Sequence, residues 1–132
     1  MARVLLIGLA GALGTLSRYG IGLWAGRTFG TSIPYGTFVV NVAGCFLIAL
    51  IGQLAVATTL IPPTLRLTLM TGFMGGLTTY SSFNYETTNL LRDRAWGSAC
   101  ANVGMTLSTC FIAGMLGLTL ATRLAEPWLA RR

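Results

Sequence analysis

Thr71-Gly72-Phe73-Met74-Gly75-Gly76-Leu77-Thr78-Thr79-Tyr80-Ser81-Ser82-Phe83-Asn84-Tyr85-Glu86 is the stretch on which the reading of this chain turns. It lies in an almost charge-free region, yet two adjacent glycines followed by two threonines and two serines are poor material for an unbroken helix. Non-helical backbone at membrane depth persists only where protein or a water-filled cavity satisfies its N–H and C=O groups. Helices broken in this way expose carbonyls that coordinate cations and N–H groups that attract anions. A packing kink is the plain alternative. The crowd of hydroxyls in the same stretch favours a functional break.

The sequence around it is that of a membrane protein. Charge-free runs cover residues 28–65, 67–85 and 95–122, and residues 4–25 hold one charge, Arg18. About 20 apolar residues cross a bilayer's hydrocarbon core. Only 9% of the 132 residues are charged, against roughly 25% in a soluble domain, and the mean hydropathy is +0.72. This excludes a soluble enzyme, a disordered tail and a nucleic-acid-binding domain. The net charge of +6 comes from nine arginines and no lysine. Most of these arginines punctuate the ends of apolar runs, as juxtamembrane anchors do.

Punctuation divides the chain into a single four-helix transmembrane domain over 1–132. The first helix runs from about Arg3 to Gly26 and reads as a retained span rather than a cleaved signal. A loop with Arg27, Gly30, Thr31 and Ser32 follows. Pro34 then sits in the first turn of the second helix, which ends near Thr59 because Pro62-Pro63 cannot continue it. The third begins around Pro63 and ends at Arg92-Asp93-Arg94. The fourth spans Ala95 to about Leu124, with Pro127 and Trp128 beyond it. An even number of spans puts both termini on one side with Arg3, Arg66, Arg123, Arg131 and Arg132, against Arg27, Arg92 and Arg94. That asymmetry is too weak to orient the chain, so insertion in both orientations is expected. Glycines spaced four apart, Gly22 with Gly26 and Gly72 with Gly76, let helix backbones approach in lipid. Four short helices enclose little, so an oligomer is the expected working unit.

Little here supports catalysis. Cys45, Cys100 and Cys110 lie in apolar runs without metal-ligand spacing and read as small buried hydrophobes. There is no histidine, and Glu86, Asp93 and Glu126 form no carboxylate pair. Polar residues instead recur at helical spacing: Tyr80, Phe83 and Glu86 or Thr87 in the third helix, Thr37 and Asn41 in the second, Asn102, Thr106 and Thr109 in the fourth. Each alone reads as a helix–helix seam. Three in one small protein read as a lined pathway. The rival is a small proton-coupled multidrug exporter, also four short helices, but that class needs an acid in its first helix, where this chain has Arg18.

Gly11-Ala-Leu-Gly14-Thr-Leu-Ser-Arg18-Tyr19, Asn41-Val-Ala-Gly44-Cys-Phe46 and Gly72-Phe-Met-Gly75-Gly-Leu-Thr78-Thr79-Tyr80-Ser-Ser-Phe83 resemble, in order, the three signature stretches of the Fluc (CrcB) fluoride channels. The resemblance covers the whole chain. It implies an all-α membrane protein whose third helix is broken, assembled as an antiparallel dual-topology homodimer in the bacterial inner membrane. It implies two fluoride pathways and a central structural sodium ion held by main-chain carbonyls, here those of Gly75 and Thr78. The partners implied are a second copy of the chain, fluoride and lipid, with no nucleic acid. The expected role is passive release of cytoplasmic fluoride, which enters as neutral hydrofluoric acid and is trapped as the anion.

The pathway residues carried over are Asn41, Tyr80 and Phe83, with Ser81, Ser82, Thr37 and Thr106 as further donors. Fluoride is small and tightly hydrated, so amide and hydroxyl donors and the positive edges of aromatic rings must replace its water. Tyr80 departs from the family's usual Phe. Arg18 is expected to concentrate anions in an aqueous vestibule, and Glu86, an acid beside an anion path, is the odd member.

Overall fold

A computed structural model describes residues 1–30 and 33–130, with the backbone alone at Leu129. The described residues are helical, with no strand. Helix α1 covers Ala2–Phe29 and α2 Tyr35–Ala57. The third region is composite: α3 (Pro63–Leu67) widens into a π-helical segment (Thr68–Met74) and closes as the short α4 (Gly75–Leu77). Thr78 and Thr79 are extended, and the chain restarts as α5 (Tyr80–Arg92). Helix α6 is Trp96–Leu129. Three helices, α1, α2 and α6, are each long and apolar enough to cross a membrane alone. The broken third region fits a fourth crossing made of two pieces.

The boundaries differ from expectation in three places. Helix α1 absorbs Arg27 and Thr28 and stops at Gly30, whose φ of 78° lies in the left-handed region, which glycine enters without a steric penalty. Thr31 and Ser32 lie outside the described residues, as do Arg131 and Arg132. Pro34 caps α2 instead of entering it, its carbonyl accepting the Phe38 N–H at 3.1 Å. Helix α6 runs straight through Pro127, and the Ala130 N–H still reaches the Glu126 carbonyl at 3.0 Å. Its 34 residues extend about 50 Å, beyond a hydrocarbon core of about 30 Å. The carbonyl that Pro127 leaves unpaired therefore sits where water can satisfy it.

The helices form two parallel pairs. The π-helical segment and α4 run alongside α1, so that Gly72 meets Ile7, Gly76 meets Gly11, and Gly14 meets Phe73 and Leu77. In the other pair α6 runs alongside α2, with Gly114 near Cys45 and Gly117 against Phe46. Lipid gives no hydrophobic drive for helix association, so such contact depends on backbones packing closely. Gly72 and Gly76 serve this purpose as the four-residue spacing predicts. At Gly26, by contrast, an added side chain would meet nothing within 4 Å. The small buried core is Val40, Met74 and Leu77, packed between the two pairs. Trp24 and Tyr35 bracket Phe29 at centroid distances of 5.6 and 5.4 Å. This aromatic cluster stands at the α1–α2 turn, where rings are favoured at the headgroup level.

Candidate functional site

The site is built around the Thr78–Thr79 break. In an uninterrupted helix the Gly75 carbonyl would accept from the Thr79 N–H, and the Thr78 carbonyl from the Ser82 N–H. Here the Thr79 N–H donates to Asn41 Oδ1 at 2.8 Å, and the Ser82 N–H donates to Thr79 Oγ1 at 3.1 Å. Thr79 is thus the N-cap of α5, a role suited to its short hydroxyl side chain. The Gly75 and Thr78 carbonyls lose their helical donors, and nothing within 4 Å covers the Cβ direction of Gly75. Two freed carbonyls in one short turn are a donor set that a hard cation accepts.

Asn41 does more than the sequence suggests. Its Nδ2 also donates to the Thr79 carbonyl at 3.1 Å, so one side chain satisfies both polar groups of a residue outside any helix. One amide hydrogen is left for another acceptor. Replacing Asn41 by Ala is expected to lower stability by about 2 kcal/mol, since a backbone N–H and C=O lose their partners together. Denaturation in mild detergent, with Asn41→Gln beside it, measures the loss; an unchanged midpoint for the Ala variant would remove Asn41 from the support of the break.

A cavity of about 340 Å³ opens beside the break, lined by Asn41, Thr78, Thr79, Tyr80, Phe83 and Thr106, with Cys45 and Cys110 on its α2 and α6 walls. The Tyr80 and Phe83 rings lie 5.8 Å apart at 49°. Phe83 is 8% exposed, whereas Tyr80 is 77% exposed, so the cavity lacks a wall on the Tyr80 side. Thr106 is one of the lining residues, and its hydroxyl oxygen is buried with no hydrogen-bond partner. Such a buried, unpaired hydroxyl is rare in folded proteins.

The remaining predicted residues lie elsewhere. Arg18, Thr37 and Ser82 line a second cleft of about 400 Å³ between α1, α2 and α5. A third cleft of about 310 Å³ shares Gly22, Gly36 and Thr37 with it and is lined by Glu86. Thr37 donates to Glu86 Oε1 at 2.7 Å, while Glu86 Oε2 is buried without a partner. Among the described residues the ion pair is Arg92 with Asp93, so Glu86 faces a hydroxyl and not an arginine. Ser81 is exposed, its hydroxyl 3.1 Å from Thr79 Oγ1. On α6, Asn102 donates to Thr87 Oγ1 at 2.9 Å and Thr87 to the Phe83 carbonyl at 2.7 Å. Thr109 bonds back to Met105. The fourth-helix stripe is therefore part seam and part cavity wall.

The broken third helix is thus fastened to α2 by Asn41 and to α1 by a glycine seam, with a largely apolar cavity at the break. The sequence model described as "CrcB-like protein, Camphor Resistance (CrcB)" matches residues 5–118. The chain belongs to the CrcB family. A curated CrcB relative from Sorangium cellulosum (strain So ce56) is 52% identical over 124 residues, 94% of this chain and 98% of the relative. One from Geotalea uraniireducens (strain Rf4) is 46% identical over 94% of this chain and all of the relative. A third, from Anaeromyxobacter dehalogenans (strain 2CP-1 / ATCC BAA-258), is 46% identical over 98% of this chain. All three carry the name fluoride-specific ion channel FluC. This CrcB chain, with its long apolar helices, is a multi-pass integral membrane protein.

Proposed function

We propose that the chain is a passive fluoride-selective channel, and no enzyme, that releases cytoplasmic fluoride. In this reading it works as an antiparallel dual-topology homodimer with two pathways and a central structural sodium ion. The observation that carries the proposal is the cavity between Phe83 and the unpartnered, buried Thr106 hydroxyl, in a chain whose relatives are named fluoride-specific channels. A hydroxyl without a protein acceptor and an aromatic ring beside one narrow space suit a small anion that must exchange its water for protein donors. The exporter alternative draws no support: α1 has no acid, and Glu86 is engaged with Thr37.

The dimer draws support from what one chain leaves open. Tyr80 is exposed at the mouth of the cavity and the space over Gly75 is free. The helix-end arginines divide only weakly, Arg3, Arg66, Arg123, Arg131 and Arg132 against Arg27, Arg92 and Arg94, an asymmetry small enough to allow insertion in both orientations. For sodium, the freed carbonyls of Gly75 and Thr78 would hold the ion, and two chains would supply four. Such an ion would fix the break and add positive charge near an anion path. Arg18 in its cleft would concentrate anions at the entrance.

The test is efflux from liposomes holding the purified protein, read with a fluoride electrode, with sodium present and chloride as control. Fluoride release without chloride release supports the reading. Silence from a folded protein, unrelieved by Tyr80→Phe, overturns it. In the same assay Thr106→Val is expected to slow fluoride release about tenfold, the effect of about 1.4 kcal/mol on a barrier. Its stability should stay at or above wild type, because removing an unpartnered hydroxyl strands no other group. A variant that conducts normally would take Thr106 out of the pathway.

A further inference from the structure

Two groups on the wall of the Phe83 cavity take no part in the pathway proposed above. Cys45 on α2 and Cys110 on α6 both open on that cavity, and both line the adjoining groove beside Ile48 and Phe111. Both are free thiols, and they share the lining of both spaces. Their proximity follows from the α2–α6 packing. Gly114, one turn beyond Cys110, has no side chain to hold α2 away, and a Cβ there would stand 3.8 Å from the Cys45 carbonyl oxygen. Gly117 lies against the Phe46 carbonyl a turn further on.

Two converging thiols without a third ligand define a narrow chemistry. Among the described residues no group of three or more His, Cys, Asp or Glu side chains could hold a metal. Zinc wants four ligands and calcium six to eight oxygens, so neither suits this pair. Thiolates favour soft cations, and those with filled d shells, Cu⁺, Ag⁺ and Hg²⁺, are content with two ligands in line. We propose that Cys45 and Cys110 form a two-coordinate site for one soft cation, and that an ion held there obstructs the cavity between Asn41 and Phe83. With Hg²⁺ both S–H bonds break, two S–Hg bonds form and two protons leave to buffer. No electron is transferred and the complex is neutral, which suits an apolar wall. With Cu⁺ or Ag⁺ the same step leaves one negative charge on the wall, which repels an anion. The obstruction rests on the fluoride-channel reading; the binding does not.

The experiment uses Hg²⁺ and the full chain in a Cys100→Ser background, since Cys100 is exposed and would bind mercury by itself. After washing with a monothiol, which strips mercury held by one sulfur, one Hg²⁺ per chain should remain. It should be absent once Cys45→Ala or Cys110→Ala is added. In liposomes Hg²⁺ should bring fluoride efflux of the Cys100→Ser protein to the protein-free level, and a dithiol should restore it. Each single-thiol variant, compared with its own metal-free rate, should be unaffected. Equal mercury retention by either single-thiol variant overturns the paired site. Undiminished efflux with one mercury bound per chain overturns the obstruction. Absence of fluoride efflux before any metal is added counts against the channel reading and leaves the retention result standing.

Discussion

Replacing Phe83 by Ile is expected to reduce fluoride efflux to the level of protein-free liposomes in a protein that still folds. Phe83 is the buried ring of the cavity, held on α5 one turn from Tyr80, and it lines that space together with Thr106. Isoleucine keeps apolar bulk but has no quadrupole, so the positive ring edge is lost. Hydrophobic swaps of similar volume cost less than about 1.5 kcal/mol, so the Thr79 cap and the Asn41 bonds should survive. The Phe83 carbonyl still accepts from Thr87, because that contact belongs to the backbone. Loss of conduction without loss of fold would place the effect on the permeating ion. Efflux at the original rate from a folded variant would remove Phe83 from the path.

Tyr80 sharpens the comparison. Its ring lies tilted against Phe83 and is largely exposed, on the side where one chain leaves the cavity open. Tyr80→Phe keeps the ring edge and should conduct at least as fast as the parent, whereas Phe83→Ile should not conduct. Fluoride efflux measured on both variants in the same liposomes separates the two rings, and equal rates would mean that neither edge touches the ion.

Much of the fold is legible in the amino-acid sequence, for identifiable reasons. Gaps between charges set the helices because arginine is excluded from the hydrocarbon core, and the Gly75-Gly76 and Thr78-Thr79 pairs disclose the break because neither favours a continuous helix. The partner of Asn41 is not legible there. An asparagine four residues from Thr37 advertises a polar face, but only the fold brings Thr79 to both ends of its amide. The polar residues of the three stripes likewise divide in space, Thr106 to the Phe83 cavity, Thr37 and Ser82 to the Arg18 cleft. Helical spacing cannot separate them, since it gives the face of one helix and not the neighbour that face meets. The Cys45–Cys110 pair leaves no trace in the sequence at all. Residues distant along the chain meet because Gly114 and Gly117 let α6 close on α2, and the glycines there follow no simple four-residue repeat.

The largest expected loss of stability comes from a residue with no side chain. Gly76→Val should cost more than about 4 kcal/mol, the range reserved for specific structural failures, and should leave little monodisperse protein. A Cβ at Gly76 would collide with the Gly11 carbonyl and stand 3.0 Å from the Thr15 nitrogen. Both obstacles are backbone, so no rotamer change can relieve them. Nor can α1 simply step aside. Gly14 is pressed against the Phe73 carbonyl, and a Cβ on Gly72 would lie 2.8 Å from the Ile7 carbonyl oxygen, so the seam must part along its length. Parting it moves α4, and with α4 go Thr78 and Thr79, away from Asn41 and the cavity. Conduction and folding are therefore expected to fail together, unlike Phe83→Ile, where only conduction fails. Gly97→Ala is the control, since a Cβ there meets nothing within 4 Å and should leave yield and melting unchanged. Size-exclusion profiles and thermal melts of the two variants decide the matter: a monodisperse Gly76→Val protein with wild-type melting would mean that α1 and the broken helix are not locked by backbone contact.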